Sequence, residues 1–215
     1  MSTNDRLDLA DWRRRIADLY AQVRLRANDD PEGAWNHWRT VREELFRVHT
    51  QSPLPRVDRA AFEAHHFPYD GALRVEAVVQ PLTAANDAVR RAEIPLSDGA
   101  TTTLEPIGTV EAALPGGLAT LTVCWMGGYG DGLFLSFRDK TNGQETYGGG
   151  RYLLDAAKSA DLGGARDGGA LVLDFNFAYH PSCAWDPQWV CPLVMPANRL
   201  NLSIRGGETL VAPSP

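Results

Sequence analysis

The sequence predicts a mainly β protein, an antiparallel β-sandwich or barrel-like domain preceded by an N-terminal two-helix arm. Three observations carry this prediction. Apolar residues recur at three- and four-residue spacing through roughly the first fifty positions, the period of an amphipathic helix. From Ala72 onward the pattern becomes short alternating or β-branched runs, separated by Asp98-Gly99, Pro115-Gly116-Gly117, Gly127-Gly128, Asn142-Gly143 and Gly206-Gly207. No helical pattern returns between those runs, so a parallel sheet with crossover helices is not expected.

In the first helix, Leu9, Trp12, Ile16, Leu19, Tyr20 and Val23 share one face. A second starts at Asp30-Pro31, a capping side chain followed by the residue best suited to the first helical position. Its apolar series is Trp35, Trp38, Val41, Leu45 and Val48, and Pro53 and Pro55 end it. Residues 1–56 therefore form the arm and 57–215 the β domain, with Trp35 and Trp38 as the docking contacts. Val57 to His66 reads as a short connector with one or two helical turns. Strands are expected at Ala72–Val79, Ala88–Leu96, Thr101–Leu104, Gly108–Leu114, Leu118–Met126, Leu133–Arg138, Thr146–Leu154, Ala170–Tyr179 and Leu200–Arg205. Lys158 to Gly169, rich in Gly, Ala and Asp, reads as an exposed, mobile excursion, and Val211 to Pro215 as a frayed tail.

The 215-residue chain carries a formal net charge of −6, with acids and bases interspersed. Nucleic-acid binding is not expected, because no basic stripe is available to neutralise phosphates. No stretch has the apolar core of a signal peptide or the length of a membrane span, so a soluble, cytoplasmic protein without membrane contact is expected. Three cysteines, Cys124, Cys183 and Cys191, do not make a disulfide framework and fit a reducing compartment. The residues assign no cofactor and leave homo-oligomer formation open.

The most informative stretch runs from Leu133 to Tyr152. Asn142-Gly143 predicts a two-residue type I′ turn. Its register would set Lys140 opposite Glu145, Arg138 opposite Tyr147, Ser136 opposite Gly149 and Phe134 opposite Arg151. Ser136, Arg138, Tyr147 and Arg151 would then share a face, with space left by neighbouring glycines. Two guanidinium forks on one face suit a carboxylate or phosphate. Against this stands the simpler reading that an arginine pairs with a protein carboxylate. Asp174 is the ready partner, lying with Asn176 on one face of the strand that carries Phe175, Phe177 and Tyr179 on the other.

The loop from His180 to Cys191, HPSCAWDPQWVC, offers three metal-ligating side chains. The gap between the cysteines does not match a structural zinc site and no fourth ligand is evident, so no metal is assigned. A local disulfide is compatible with the spacing and disfavoured by the cytosol. A Cys183–His180 nucleophile lacks an orienting partner. The simplest reading is a packed loop in which Trp185, Trp189 and the prolines cluster and the thiols are buried.

The blocks FRDKTNGQETYGGGRYL, LDFNFAYHPSCAW, CPLVMPANRL and IRGGE together resemble a bacterial family catalogued as domain of unknown function 1684. The resemblance is specific over the C-terminal third and extends more loosely to the Trp-rich second helix. It implies a shared fold and a shared site on these blocks, and brings no activity. Family members carry Asn-Pro where this chain has His180-Pro181, so a role for an amide at that position does not transfer.

The expected function is therefore binding of a small anionic ligand in a polar pocket of the β domain. Arg138 and Arg151 would contact the anion, with Tyr147, Asp174, Asn176 and Tyr179 as further binding residues. Two alternatives belong to other classes. One is a hydrolase-like or isomerase-like enzyme with Asp174 or Glu145 as general base; the other is an interaction module docking through the helical arm.

Overall fold

A computed structural model describes residues 2–82, 92–128, 131–164 and 170–210. Helix α1 spans Thr3–Arg26 and starts with a reciprocal cap, in which the Ser2 hydroxyl accepts the Asp5 amide and the Asp5 carboxylate accepts the Ser2 amide. Helix α2 spans Pro31–Val48, with the Asp30 side chain accepting the Gly33 amide at 2.9 Å. Their inner faces bury Ile16, Leu19, Tyr20 and Val23 from α1, and Trp35, Trp38, Leu45 and Phe46 from α2. Val48, expected on that face, is exposed. Arg42 is buried there, one turn after Trp38.

Ten strands follow among the described residues, all paired antiparallel. They are β1 (His65–His66), β2 (Arg74–Val78), β3 (Gln80–Pro81), β4 (Ala92–Pro95), β5 (Thr101–Leu114), β6 (Gly117–Met126), β7 (Gly132–Phe137), β8 (Arg151–Asp155), β9 (Ala170–Asp174) and β10 (Glu208–Thr209). The large sheet runs β3-β5-β6-β7-β8, with β4 on the far half of β5; β2 pairs β9 and β1 pairs β10. The sheets are layered like a sandwich and none closes into a barrel. One core cluster joins Ala77 and Leu173 of the β2–β9 pair to Val110, Leu121 and Leu135 of the large sheet. The other joins the arm to the β part, with Ile16, Trp35 and Trp38 meeting Phe134, Phe177 and Tyr179. Trp35 and Trp38 are thus the docking contacts, and the Trp35 indole also donates to the Asn176 carbonyl at 2.8 Å.

Several expected boundaries move. Thr101–Leu104 and Gly108–Leu114 belong to one long strand whose register shifts between Pro106 and Gly108. The strand expected at Ala88–Leu96 is described only over Ala92–Pro95, and its first residues lie outside the described ones, as do 165–169 and the tail 211–215. Leu200–Arg205 forms no strand. Ala170–Tyr179 stops at Asp174, because that carboxylate caps a tight turn over Phe175–Phe177 and breaks the alternation. Asp174 and Asn176 are therefore not two steps along one strand face. The part of the supposed mobile excursion that is described is packed. Asp155 and Ala160 exchange both backbone bonds, at 2.9 and 3.0 Å, and Ala160 and Leu162 are buried.

The predicted hairpin register is overturned. The ladder pairs Phe137 with Arg151, Ser136 with Tyr152 and Phe134 with Asp155, and residues 138–150 leave the sheet. Side chains of the turn out-compete the ladder. The Asn142 side-chain oxygen accepts the Asp139 amide, and its NH₂ donates to Thr146 and the Tyr147 carbonyl. The Thr141 carbonyl collects the amides of Gln144, Glu145 and Thr146. Arg138 pairs instead with the chain near Arg199, donating to the Asn198 carbonyl and accepting from Leu200. Because side chains alternate, the new register puts Arg151 on the face opposite Ser136.

A cleft between the arm and the sheet

Arg42 reaches the centre of the molecule because α2 turns its inner face toward β10. Its Nε donates to Glu208 at 2.6 Å, and its guanidinium lies over the rings of Phe46 (4.4 Å) and Tyr179 (4.8 Å). The second Glu208 oxygen accepts the His180 amide at 2.7 Å. Burial alone would raise the Glu208 carboxyl, but the charge and hydrogen bond of Arg42, together with the neighbouring His180 and His66, outweigh it and hold the group down at about 2. Burial pushes His180 down to about 3, so its ring is neutral. Its Nε2 accepts the Tyr147 amide at 3.2 Å, which assigns the ring proton to Nδ1, facing Glu208 at 3.8 Å.

Beside this buried group opens a cleft of about 340 Å³ between the arm and the sheet. Its walls are chiefly apolar, built by Trp12 and Phe46 from the arm, Phe134 and Tyr152 from the sheet, and Trp189 and Pro192 from the C-terminal loop. The loop is fixed to the arm: Trp185 packs edge-on against Phe46 and Phe62, and the Trp189 indole donates to the Pro53 carbonyl at 3.0 Å. Polar groups enter at a few points. Asp155, at the end of β8, caps the turn at Ala156–Lys158 and accepts the Tyr179 hydroxyl at 2.9 Å. The turn brings the Lys158 ammonium 3.8 Å from Asp155, 3.4 Å from the Ser182 hydroxyl, and over the Tyr152 and Tyr179 rings. Unlike Arg42, Lys158 remains partly open to solvent.

The residues singled out from sequence are dispersed. Arg151 has no exposure and is held by Asp139 at 3.2 Å and by the carbonyls of Ile204 and Gly206. Its carboxylate is thus Asp139, not Asp174, and it presents no open face shared with Arg138. Asp174 pairs with Arg74 at 3.4 Å and accepts the Asn176 side chain. Burial raises its carboxyl, yet it is sealed from solvent. Asn176 ties the Asp70 backbone through both ends of its amide. Glu145 pairs with Arg205 at 2.8 Å near the surface. Tyr147 contacts Cys183, and Tyr179 reaches Arg42 and Asp155. Among the described residues no group of three His, Cys, Asp or Glu could hold a metal ion, and no helix is long and apolar enough to cross a membrane.

Sequence reasoning passed over Arg42, Asp155, Lys158 and Glu208. Arg42 carried a usable signal, since it falls on the apolar stripe between Trp38 and Leu45 where a charge must find a buried partner. Glu208 stood in the IRGGE block. Lys158 was hidden inside a stretch whose composition resembled a loop.

Fold and cleft together define a class: a layered antiparallel β protein whose N-terminal helical arm closes over an internal cleft lined by aromatic rings and a few charges. The chain belongs to the family described as protein of unknown function (DUF1684), whose sequence model matches residues 61–209. Among solved structures it is similar to the solution NMR structure of the uncharacterized protein from gene locus rrnAC0354 of Haloarcula marismortui, with 32% identity and a TM-score of 0.59. That match covers 85% of this chain and 95% of the other. No curated protein matches the chain.

Proposed function

We propose that the protein binds a small organic anion, a carboxylate or phosphate ester with an apolar body, in the cleft between arm and sheet. The observation that carries this reading is the pairing of an aromatic-lined cavity of about 340 Å³ with the partly open Lys158 ammonium at its wall. The volume lies at the lower end of the roughly 300–1,000 Å³ range of small-molecule sites, and apolar walls with few fixed polar groups are the composition such sites use. Arg42 is neutralised by Glu208 at 2.6 Å, so the anion contact falls to Lys158, with the exposed Arg13 guanidinium on the arm side of the same cleft. The Ser182 hydroxyl can donate beside it, while the rings of Trp12 and Trp189 cover the ligand body. Arg138 and Arg151 have no part in this reading.

The test is a thermal-shift screen of aromatic and aliphatic carboxylates and phosphate monoesters against the full chain. A binder at about a hundred times its Kd should stabilise the wild type by about 2.7 kcal/mol. Lys158→Gln should lose most of that shift while keeping the unliganded melting point. If no anion shifts the wild type, or if the variant responds equally, the reading fails.

A further inference from the structure

The cleft is bordered by the Cys191 thiol, and Cys183 lies next to it in the same loop; the proposed ligand site uses neither. Both Cys183 and Cys191 are free. The loop between them folds back on itself through the short turn at Ser182–Ala184, so that the Cys183 amide donates to the Cys191 sulfur at 3.4 Å. The Tyr147 hydroxyl lies 3.8 Å from the Cys183 sulfur. The Cys191 amide is anchored to the Ser97 hydroxyl at 3.0 Å, which fixes that side of the loop. Cys183 is half-buried, Cys191 is buried, and Cys191 lines the cleft.

We infer that Cys183 and Cys191 form a redox-active pair, in which Cys183 is the thiol that reacts with a hydroperoxide and Cys191 is the thiol that resolves it into a disulfide. The electrostatics agree with this division of roles. The Cys191 thiol, outweighing burial and aided by the Tyr147 hydroxyl, lowers the Cys183 thiol to about 6, whereas Cys191 is raised by the same contact and by burial. The contact thus favours the thiolate at Cys183 and the protonated thiol at Cys191. Cys124, the remaining cysteine, is raised by burial to about 11 and serves as an internal control.

The chemistry balances with hydroperoxide as the oxidant. The Cys183 thiolate attacks the outer peroxide oxygen; an S–O bond forms, the O–O bond breaks, and the departing alkoxide or hydroxide takes up a proton as alcohol or water. Cys183 is then a sulfenic acid. The Cys191 sulfur attacks it, an S–S bond forms, and the S–O bond breaks with loss of water, carrying the Cys191 proton. Two thiols and one peroxide become one disulfide, one alcohol and one water, with two electrons passing from sulfur to oxygen. The disulfide would tie down the loop that carries Val190, Cys191 and Pro192 along the cleft wall.

Hydrogen peroxide added to the reduced full chain, followed by alkylation and peptide mass mapping, tests this. The wild type should yield a Cys183–Cys191 cross-link reversed by dithiothreitol, with Cys124 unmodified. Cys191→Ser, which keeps a hydroxyl donor, should instead accumulate a dimedone-reactive sulfenic acid on Cys183. Should the variants fail to fold, iodoacetamide labelling of the wild type at neutral pH still decides: Cys183 should react roughly tenfold or more faster than Cys124. A cross-link involving Cys124, equal labelling of the two, or no cross-link at peroxide concentrations that oxidise the unfolded chain would overturn the inference.

Discussion

Arg42 is a charge at the heart of an apolar helix face, and its partner Glu208 lies 166 residues away along the chain. A buried pair of this kind contributes little against a well-packed apolar replacement, but removing one member leaves the other charged and unpaired. Arg42→Met should therefore cost about 3–5 kcal/mol. Arg42→Met combined with Glu208→Gln should recover much of that, since the amide oxygen can still accept the His180 amide. Urea denaturation of the wild type, Arg42→Met, Glu208→Gln and the double variant measures it, and equal losses in Arg42→Met and the double variant would show that packing, not charge, governs the site. His66 makes a second residue-scale prediction. It is buried edge-on to Trp35 and Trp38, and burial pushes it down to about 4 from 6.5. The unfolded chain binds the proton first as pH falls, so the stability due to the neutral ring is complete above about pH 6.5 and is lost progressively toward pH 4. The loss is on the order of 3 kcal/mol. His180, held at about 3, adds a loss of the same sign below about pH 6.5, and Glu208, held at about 2, adds another that begins below its ordinary value of 4.5 and is complete as the pH falls through about 2. His66→Phe should flatten the pH dependence of the urea midpoint between pH 7 and 4; an unchanged slope would contradict the assignment.

At the scale of elements, the segment 138–150 shows how side-chain hydrogen bonds can override a strong turn signal. Asn142-Gly143 correctly marks a reversal, and Gly143 does take a positive φ of 81°. The dipeptide rule treats the flanking residues as strand, however. Here Asp139, Thr141 and Thr146 bond one another, at 2.7 Å from Thr141 to Asp139 and 2.9 Å between the threonines, and close the chain into a plug. A second positive φ, 101° at Gly150, returns the chain to the ladder, and a Cβ there would lie 2.5 Å from Val194 and 2.6 Å from the Phe137 carbonyl. Gly150→Ala should accordingly destabilise the protein by at least about 2 kcal/mol through strain and contact together. Gly143→Asn, with open space around the position, should cost under about 1 kcal/mol. Equal effects in thermal unfolding would mean the plug is not held at Gly150. Helix capping at Asp30-Pro31, the α1 face and most strand positions were readable in the sequence because they rest on local period and local hydrogen bonds. The faces of Arg138 and Arg151 were not, because a shift of a few residues in register reverses them and nothing in the dipeptide reports it.

Across the whole molecule, the helical arm shares one of the two core clusters with the β part, and the cleft lies where they meet. Sequence reasoning could see each half: an amphipathic pair with Trp35 and Trp38 as docking residues, and a β part with a polar block. It could not see that Lys158, Asp155, Arg42 and Glu208 converge, since their contacts span most of the chain and no local pattern encodes them. The central claim is that this junction, not the hairpin face, takes a small anion. The most direct measurement is a ¹⁵N-correlation NMR titration of the full chain with an anion that stabilises it in the thermal screen. Saturable shifts should concentrate at the Trp12 and Trp189 indoles and the amides from Asp155 to Lys158, and vanish in Lys158→Gln. Shifts centred on Arg138 and Tyr147, or a perturbation that survives the substitution, would contradict the account.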